Sequence, residues 1–307
     1  MKEVILQTKN LTKKYGKQTV LDHMDIQIHK GDIYGLVGKN GAGKTTLMRI
    51  VTGLMIQNEG ELELFGATYS DDLDKARKRT GMIIETPSFF PYLSARKNLE
   101  YYRLQRGIAG TSCVDEALKL VGLDHVGSKK FKGFSLGMKQ RLGLALAIMG
   151  NPDFLILDEP INGLDPSGII EFREILLKLN RERQVTILIS SHILSELAQL
   201  ATTYGFIHEG KLIEQVSSKE IEERCKHHLL VKVDNTKKAV TVLEEQLACT
   251  EYEIQNSNEI KIFKYLENPE VVVATFVKEG LMVQAIGQVG MQLENYFMDL
   301  IGGEQHA

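Results

Sequence analysis

One glycine-rich segment constrains this chain more than any other feature of its 307 residues. Residues 38–45 read GKNGAGKT, which fits the pattern G-x-x-x-x-G-K-[ST], and they directly follow the apolar run Ile33–Val37. A buried strand, a glycine-rich loop and a helix in this order form a phosphate-binding loop, in which Lys44 supplies a cation and the Thr45 hydroxyl can ligate Mg²⁺. The sequence therefore predicts that a nucleoside triphosphate binds here. The predicted contacts are Gly38, Asn40, Gly41, Ala42, Gly43, Lys44, Thr45 and Thr46.

A second apolar run, Phe154–Leu157, ends in two acidic residues, Asp158 and Glu159. Two acids at a strand end are often only a helix cap. Next to a phosphate loop they favour another interpretation, in which Asp158 holds Mg²⁺ and Glu159 orients or deprotonates the water that attacks the γ-phosphate. We therefore predict hydrolysis as well as binding.

The apolar patterns predict an α/β fold with a mixed sheet. Continuous apolar runs, including Val185–Ile189, are typical of buried parallel strands. Alternating segments at residues 25–29 and 61–64 favour a half-buried antiparallel sheet beside them, and residues 206–213 read as a hairpin that turns at Glu209 and Gly210.

Charge and pattern change near Ser217. Residues 218–307 contain nine Lys or Arg and fifteen Asp or Glu, whereas residues 1–217 contain 28 and 25. Beyond Ser217 the expected order is strand 229–233, helix 237–247, strand 252–255, strand 259–263, helix 269–279 and strand 281–286. This βαββαβ order predicts a small ferredoxin-like unit, followed by an amphipathic helix at about 292–301.

Composition narrows the possible partners and surroundings. Apolar residues make up 43% and charged residues 25%, which is typical of a folded globular protein, and the net charge of −3 gives no general attraction to nucleic acid. The longest apolar stretch, Leu142–Met149, is far shorter than the ~18 residues of a membrane span, so we expect a cytosolic chain. Cys113, Cys225 and Cys249 are far apart, and we expect buried free thiols rather than a zinc site or disulfides.

Residues 134–141, FSLGMKQR, complete a resemblance to the nucleotide-binding subunits of ABC transporters. They lie where that family carries its signature LSGGQ, with Ser135 standing 23 residues before Asp158. Leu136 replaces the first glycine and Met138 the glutamine, while Ser135 and Gly137 remain. A helix starting near Met138 would present free N–H groups to anionic oxygens, although an ordinary helix cap would also explain the serine.

The resemblance assigns further residues. Tyr15 resembles the aromatic residue that stacks on adenine, Asp165 lies in a segment that resembles the D-loop crossing to the partner subunit, and His192 resembles the switch histidine that binds the γ-phosphate. Glu85 stands where most of these ATPases have a glutamine that senses Mg²⁺, so the resemblance implies a third metal contact beside Thr45 and Asp158. A turn tyrosine, a structural histidine and a solvated loop charge are the alternatives.

Together with the closing residues 293–297, LENYF, these motifs resemble the bacitracin-resistance and lantibiotic-immunity subfamily. The implied fold is a P-loop NTPase of the ABC type, with a mixed sheet core, an antiparallel β subdomain and a helical subdomain over residues 1–217. A small α+β accessory domain is expected over residues 218–307.

Two other clusters have less specific interpretations. Residues 89–92, FFPY, form an aromatic group that can seat a membrane subunit or fill the core of the helical subdomain. His227 and His228 lack further ligands at metal-binding spacing, and we expect them at a solvated strand start.

The implied function is that of an ATPase that uses ATP and Mg²⁺ to power export of a peptide or hydrophobic antimicrobial. ATP would be sandwiched between two copies paired head to tail, and separately encoded transmembrane permease subunits would hold the pair at the cytoplasmic face of the membrane. Export of ions, lipids or drugs is one alternative. A soluble ABC ATPase that transports nothing is another, although the chain has no tandem second cassette and no long coiled-coil insertion.

Overall fold

The computed structural model describes residues 2–85, 88–290 and 293–302. Within them the chain divides into two compact units, residues 2–218 and residues 219–302. Each unit has its own apolar core, one grouped around residues such as Leu6, Leu47 and Phe154, the other around residues such as Val231, Leu243 and Phe276.

The described residues of the first unit form ten strands. They are β1 (Val4–Tyr15), β2 (Gln18–Met24), β3 (Gln27–His29), β4 (Ile33–Val37), β5 (Glu59–Leu64), β6 (Thr80–Ile83), β7 (Phe154–Leu157), β8 (Thr186–Ser191), β9 (Thr203–His208) and β10 (Lys211–Ser217). Its helices are α1 (Lys44–Val51), α2 (Ser70–Arg77), α3 (Ala95–Gln105), α4 (Ser112–Leu120), α5 (Leu136–Ile148), α6 (Pro166–Arg183) and α7 (Leu194–Leu197).

The central sheet of this unit has the strand order β10-β9-β4-β8-β7-β6. Strands β9, β4, β8, β7 and β6 are parallel, and only β10 is antiparallel, paired to β9. Every residue of β4 and β7 is buried, as expected for parallel strands covered on both faces. The mixed sheet predicted from the apolar runs is confirmed. Because the parallel strands end at the same edge, the loops after β4, β7 and β8 lie close together.

A second sheet is antiparallel. Its strands β2, β3 and β5 all pair with β1. In β5 the buried residues Leu62 and Leu64 alternate with exposed or half-buried neighbours, which is the pattern that predicted a half-buried sheet.

Helices α3, α4 and α5 contact one another and form the helical part of the unit. The aromatic residues before α3 separate into two groups. Phe89 is buried, with its ring centroid 5.1 Å from that of Phe131 and 5.8 Å from that of Tyr102, so it belongs to the core. Phe90 and Tyr92 are exposed. Phe89 is therefore a core residue. The interpretation as a contact for a membrane subunit stays a prediction for Phe90 and Tyr92.

The second unit carries the βαββαβ order. Helix α8 (Ser218–Cys225) is followed by β11 (His228–Val233), α9 (Thr236–Leu247), β12 (Tyr252–Ile254), β13 (Glu259–Ile262), α10 (Pro269–Lys278), β14 (Val283–Val289) and α11 (Leu293–Gly302). The sheet order is β12-β13-β11-β14 with antiparallel neighbours, which is the split βαβ topology of ferredoxin-like folds. Gln292, placed in the last helix by the sequence pattern, lies outside the described residues.

Two sequence expectations need correction. His228 is 8% exposed and its ring lies 5.8 Å from that of Phe263, so only His227 of the pair is solvated. All three cysteines are free, but Cys113 and Cys225 are only partly buried and Cys249 alone is in a core.

Among the residues that the structure describes, no helix combines the length and the apolar character that crossing a bilayer requires.

Candidate nucleotide-binding site

The phosphate loop connects β4 to α1, and two of its glycines, Gly38 and Gly43, lie in close packing. Gly43 caps α1 with φ of 108°, and a Cβ there would lie 2.7 Å from Leu21 Cδ2 and 2.9 Å from Val20 O. A Cβ on Gly38 would lie 2.6 Å from Ile207 O. Both positions therefore exclude larger residues, and the backbone can approach a ligand as closely as the motif requires. Helix α1 begins at Lys44.

The remaining loop residues divide between solvent and core. Asn40 and Gly41 are exposed, Ala42 is buried, and Thr46 is partly buried on α1. The first N–H groups of a helix have no partner within the helix, so the start of α1 gives the loop partial positive charge. The loop therefore has the electrostatics of an anion site.

Lys44 is a buried cation, 6% exposed. Its Nζ donates to Gly38 O at 2.7 Å and to Lys39 O at 3.2 Å. It also lies 3.3 Å from Glu159 Oε1, without forming a hydrogen bond of normal geometry to that oxygen. The carbonyl groups of the loop thus hold the ammonium group of Lys44 at the site, beside Glu159.

Asp158 is held through both of its carboxylate oxygens. Thr45 Oγ1 donates to Oδ2 at 2.7 Å, and Ser190 Oγ donates to Oδ1, also at 2.7 Å. The amide of Asp158 donates to Ile83 O at 2.8 Å. The edge of the sheet therefore brings together the phosphate-loop hydroxyl and the first acid, as the sequence predicts.

Glu159 is the residue after Asp158, and its backbone is in the left-handed conformation, with φ of 47°. Its Oε2 lies 2.8 Å from His192 Nδ1, which comes just after β8. Hydrogen bonding by His192 on one oxygen and the charge of Lys44 near the other fix the direction of this carboxylate. An oriented carboxylate within reach of a bound phosphate has the geometry of a general base.

The donor set near the loop fits Mg²⁺. Thr45 Oγ1 and Asp158 Oδ2 are neighbouring oxygens, and Mg²⁺ typically takes one or two protein oxygens and completes its shell with phosphate oxygens and water. No group of three or more His, Cys, Asp or Glu side chains that could hold a metal is present among the described residues. The arrangement therefore suits a metal that arrives with a nucleotide.

Glu85 has a different partner in this structure. Its carboxylate forms an ion pair with the guanidinium of Arg49 on α1, and its side chain is 63% exposed. Its φ of 65° is left-handed. Contact between Glu85 and a metal stays a prediction.

Tyr15 is the last residue of β1, and 47% of it is exposed. Its hydroxyl donates to Met55 Sδ at 2.9 Å, and Lys13 Nζ lies 5.5 Å from the ring centroid. The hydroxyl is thus fixed while part of the ring stays open to solvent, which is compatible with stacking on a base.

Ser135 and Gly137 lie at the start of α5, which begins at Leu136, two residues before the predicted start. Ser135 is the N-cap, and its Oγ accepts from Met138 N at 3.3 Å. The cap interpretation of this serine is therefore satisfied geometrically. Within the described ranges neither Ser135 nor Gly137 hydrogen-bonds to the phosphate loop, so this chain does not bring the two motifs together by such bonds.

Asp165 is the N-cap residue of α6. Its Oδ2 accepts from Ser167 Oγ at 2.5 Å, and this hydrogen bond, aided by the backbone N–H of Gly168, lowers the pKa of the Asp165 carboxyl. The segment before it contacts the start of α5, because a Cβ on Gly163 would lie 3.1 Å from Leu136 Cδ2. The segments 135–137 and 163–165 therefore lie beside each other.

Comparison with known proteins agrees with this geometry. A model described as ABC transporter matches residues 21–162. The bacitracin transport ATP-binding protein BcrA of Bacillus licheniformis is 42% identical over 97% of this chain and 98% of that protein. This chain belongs to the ABC transporter ATP-binding proteins. The lantibiotic transport ATP-binding protein SrtF of Streptococcus pyogenes is 43% identical over 74% of this chain and 98% of that protein.

Solved structures of ABC ATP-binding proteins share the fold. The ATP-binding subunit of one ABC transporter has a TM-score of 0.63 and 27% identity, covering 71% of this chain and 92% of the other. The cbiO1 protein of Clostridium perfringens has a TM-score of 0.66 and 24% identity over 80% of this chain and 97% of its own. The first unit is therefore an ABC ATPase cassette.

Sequence reasoning did not assign a role to two residues of this ABC ATPase that contact the predicted site residues. Ser190 bonds to both acids after β7, and Arg49 pairs with Glu85. Ser190, two residues before His192, carries no motif of its own. The available signal was its position at the end of an apolar run, which places it at the same edge of a parallel sheet as Asp158.

Proposed function

We propose that this ABC ATPase binds and hydrolyses ATP with Mg²⁺ and powers export of a peptide antimicrobial through separate membrane-spanning permease subunits. The observation that carries the export proposal is the 42% identity to bacitracin transport ATP-binding proteins along 97% of the chain. That match extends through the second unit, which contains none of the nucleotide-binding motifs, so those motifs do not account for the similarity there. Similarity there supports a shared transport system in addition to a shared ATPase cassette.

Binding of ATP uses the phosphate loop and its surroundings. The backbone N–H groups of residues 38–45 would surround the β- and γ-phosphates, and Lys44, already held at the loop by two carbonyls, would turn toward them. Tyr15 would cover the adenine ring.

Hydrolysis follows from the orientation of the two acids. Thr45 and Asp158 would hold Mg²⁺, which neutralises charge on the phosphates when bound. Glu159 would accept a proton from the attacking water, and His192, 2.8 Å from Glu159, would keep the base aligned and bind the γ-phosphate. Lys44 would stabilise the charge that develops on the transferred group.

A second copy completes each site in this proposal. Ser135 and Gly137 lie at a helix N-terminus, whose partial positive charge suits a γ-phosphate held by another chain. One chain supplies one phosphate loop and one signature, so a head-to-tail pair contains two composite sites. Asp165, beside the signature, would lie at the same junction.

We further propose residues 1–217 as the nucleotide-binding domain and residues 218–307 as an accessory domain. Separate apolar cores support this division.

Permease subunits would hold the pair at the cytoplasmic face of the membrane. The exposed Phe90 and Tyr92 are the aromatic anchors that we assign to that contact.

The direct test of the enzymatic part is phosphate release by the purified full chain with ATP and Mg²⁺. We expect steady hydrolysis that EDTA stops. Lys44→Ala should lower the rate roughly 100-fold, because it removes the buried cation from the phosphates. Lys30→Ala, which only breaks an exposed pair with Glu3, is the control and should match wild type. A wild-type rate no higher than that of Lys44→Ala would contradict the proposal.

A further inference from the structure

Ser190 lies at the junction of the two acids and the central sheet. It is the fifth residue of β8, the strand between β4 and β7, and it is fully buried. Its neighbour Ile189 is paired with Leu157, the residue just before Asp158. The register of the sheet therefore places the Ser190 hydroxyl beside the chain segment that carries both acids.

The hydroxyl of Ser190 makes two bonds of different direction. It donates to Asp158 Oδ1 at 2.7 Å and accepts from the Glu159 amide at 2.9 Å. A serine hydroxyl has one hydrogen and two lone pairs, so both bonds can exist together. One side chain thus fixes a carboxylate and the backbone of the following residue.

Loss of this hydroxyl would act on both acids. The Asp158 carboxylate would keep only its bond from Thr45 on Oδ2, and it could rotate away from the orientation that places a metal at the phosphates. The partly buried Glu159 amide would lose this partner, which would weaken the support for the left-handed backbone that directs the Glu159 side chain.

We propose that Ser190 is a positioning residue that aligns the metal-binding Asp158 with the water-activating Glu159. The inference rests on the proposed function, because it assigns Ser190 a role through those two residues. Ser190 touches neither ATP nor water in this role. Its role is to set the distance and the angle between the carboxylates of Asp158 and Glu159, which act on ATP and water.

Ser191 provides a matched control on the same strand. It is also buried, at 1% exposure, but its hydroxyl bonds to the backbone of Ile193, accepting from the amide at 2.9 Å. Removing either hydroxyl deletes one buried oxygen from the end of β8. Only Ser190 contacts the acids, so a difference between the two variants isolates positioning from general loss of packing.

The test compares Ser190→Ala, Ser190→Thr and Ser191→Ala in the full chain. For each variant we would measure the turnover rate, the KM for ATP, the Mg²⁺ concentration that gives half-maximal rate, and the affinity for a fluorescent ATP analogue in EDTA. We expect Ser190→Ala to lower the turnover rate about tenfold or more and to raise the half-maximal Mg²⁺ concentration severalfold, because hydrogen bonds to charged groups are the stronger class. Metal-free affinity should stay within about twofold, since phosphate-loop contacts are unchanged. Ser190→Thr keeps the hydroxyl and should recover most of the rate.

Thermal unfolding separates folding from function. If the added methyl of Ser190→Thr lowers the melting temperature, Ser190→Cys replaces it as the polar variant, with an intermediate rate expected. Wild-type turnover and Mg²⁺ dependence in Ser190→Ala would overturn the inference, and so would equal losses in Ser190→Ala and Ser191→Ala. A wild-type chain that does not hydrolyse ATP would instead overturn the proposed function, and the inference with it.

Discussion

Glu159→Gln is expected to abolish ATP turnover and to leave ATP affinity nearly unchanged. Glutamine has almost the same shape but cannot accept a proton, and loss of a general base lowers rates by about 10²- to 10⁴-fold. The grip on phosphate should survive, because Lys44 is held at the loop by the carbonyls of Gly38 and Lys39 as well as by its approach to Glu159. ATP that binds and is not hydrolysed should then accumulate in a closed pair of subunits.

Light scattering during gel filtration with ATP and Mg²⁺ measures this accumulation, and phosphate release measures the rate. We expect the variant to elute with the mass of two chains, whereas wild type returns to single chains as ATP is consumed. Glu174→Gln, at an exposed position on α6, removes a carboxylate away from the site and serves as the control. Hydrolysis at the wild-type rate in Glu159→Gln would remove this residue from the mechanism.

Gly137→Asp is expected to stop closure of the pair while leaving the single chain folded and able to bind ATP. A Cβ at this position has only Leu164 Cδ2 within 4 Å, at 3.9 Å, so the side chain has room. An acid in the first turn of α5 is also favourable for the helix itself. The cost appears only between chains, where the new carboxylate would face the γ-phosphate held by the other copy in a water-poor contact.

Mixing Gly137→Asp with Lys44→Ala tests the composite sites. In a mixed pair one site carries both defects and the other carries none, so free mixing should recover roughly a quarter of wild-type activity if the two sites act independently. Gly150→Asp places the same charge at an exposed glycine beyond the end of α5 and should not stop closure of the pair. Mixtures no more active than their components would argue against sites shared between copies.

The sequence was most informative where a local pattern carries its own geometry. The segment 38–45 places Lys44 and Thr45 at a helix start in any strand–loop–helix unit, and an apolar strand ending in Asp158 and Glu159 has only one edge at which to present them. The βαββαβ order beyond Ser217 likewise depends on successive local patterns. These features are present in the structure because short-range chemistry determines them.

Other features depend on partners far along the chain. The bonds of Ser190 to the two acids require β8 to lie beside β7, and the pairing of Arg49 with Glu85 joins residues that are 36 positions apart. The separation of the buried Phe89 from the exposed Phe90 and Tyr92 depends on how α3 packs. None of these partners follows from a residue's own surroundings in sequence, since strand order and packing choose them.

The most direct measurement of the central claim is survival of cells that express the gene of this ABC ATPase together with any permease genes found beside it. Wild type should raise the inhibitory concentration of bacitracin or of a lantibiotic, and Lys44→Ala, produced at the same level, should not. The same cells should be tested with ions, membrane-active lipids and small hydrophobic drugs. Protection that depends on Lys44 and is specific to peptides is the predicted result, and identical peptide susceptibility of the wild-type and Lys44→Ala cells would contradict the account.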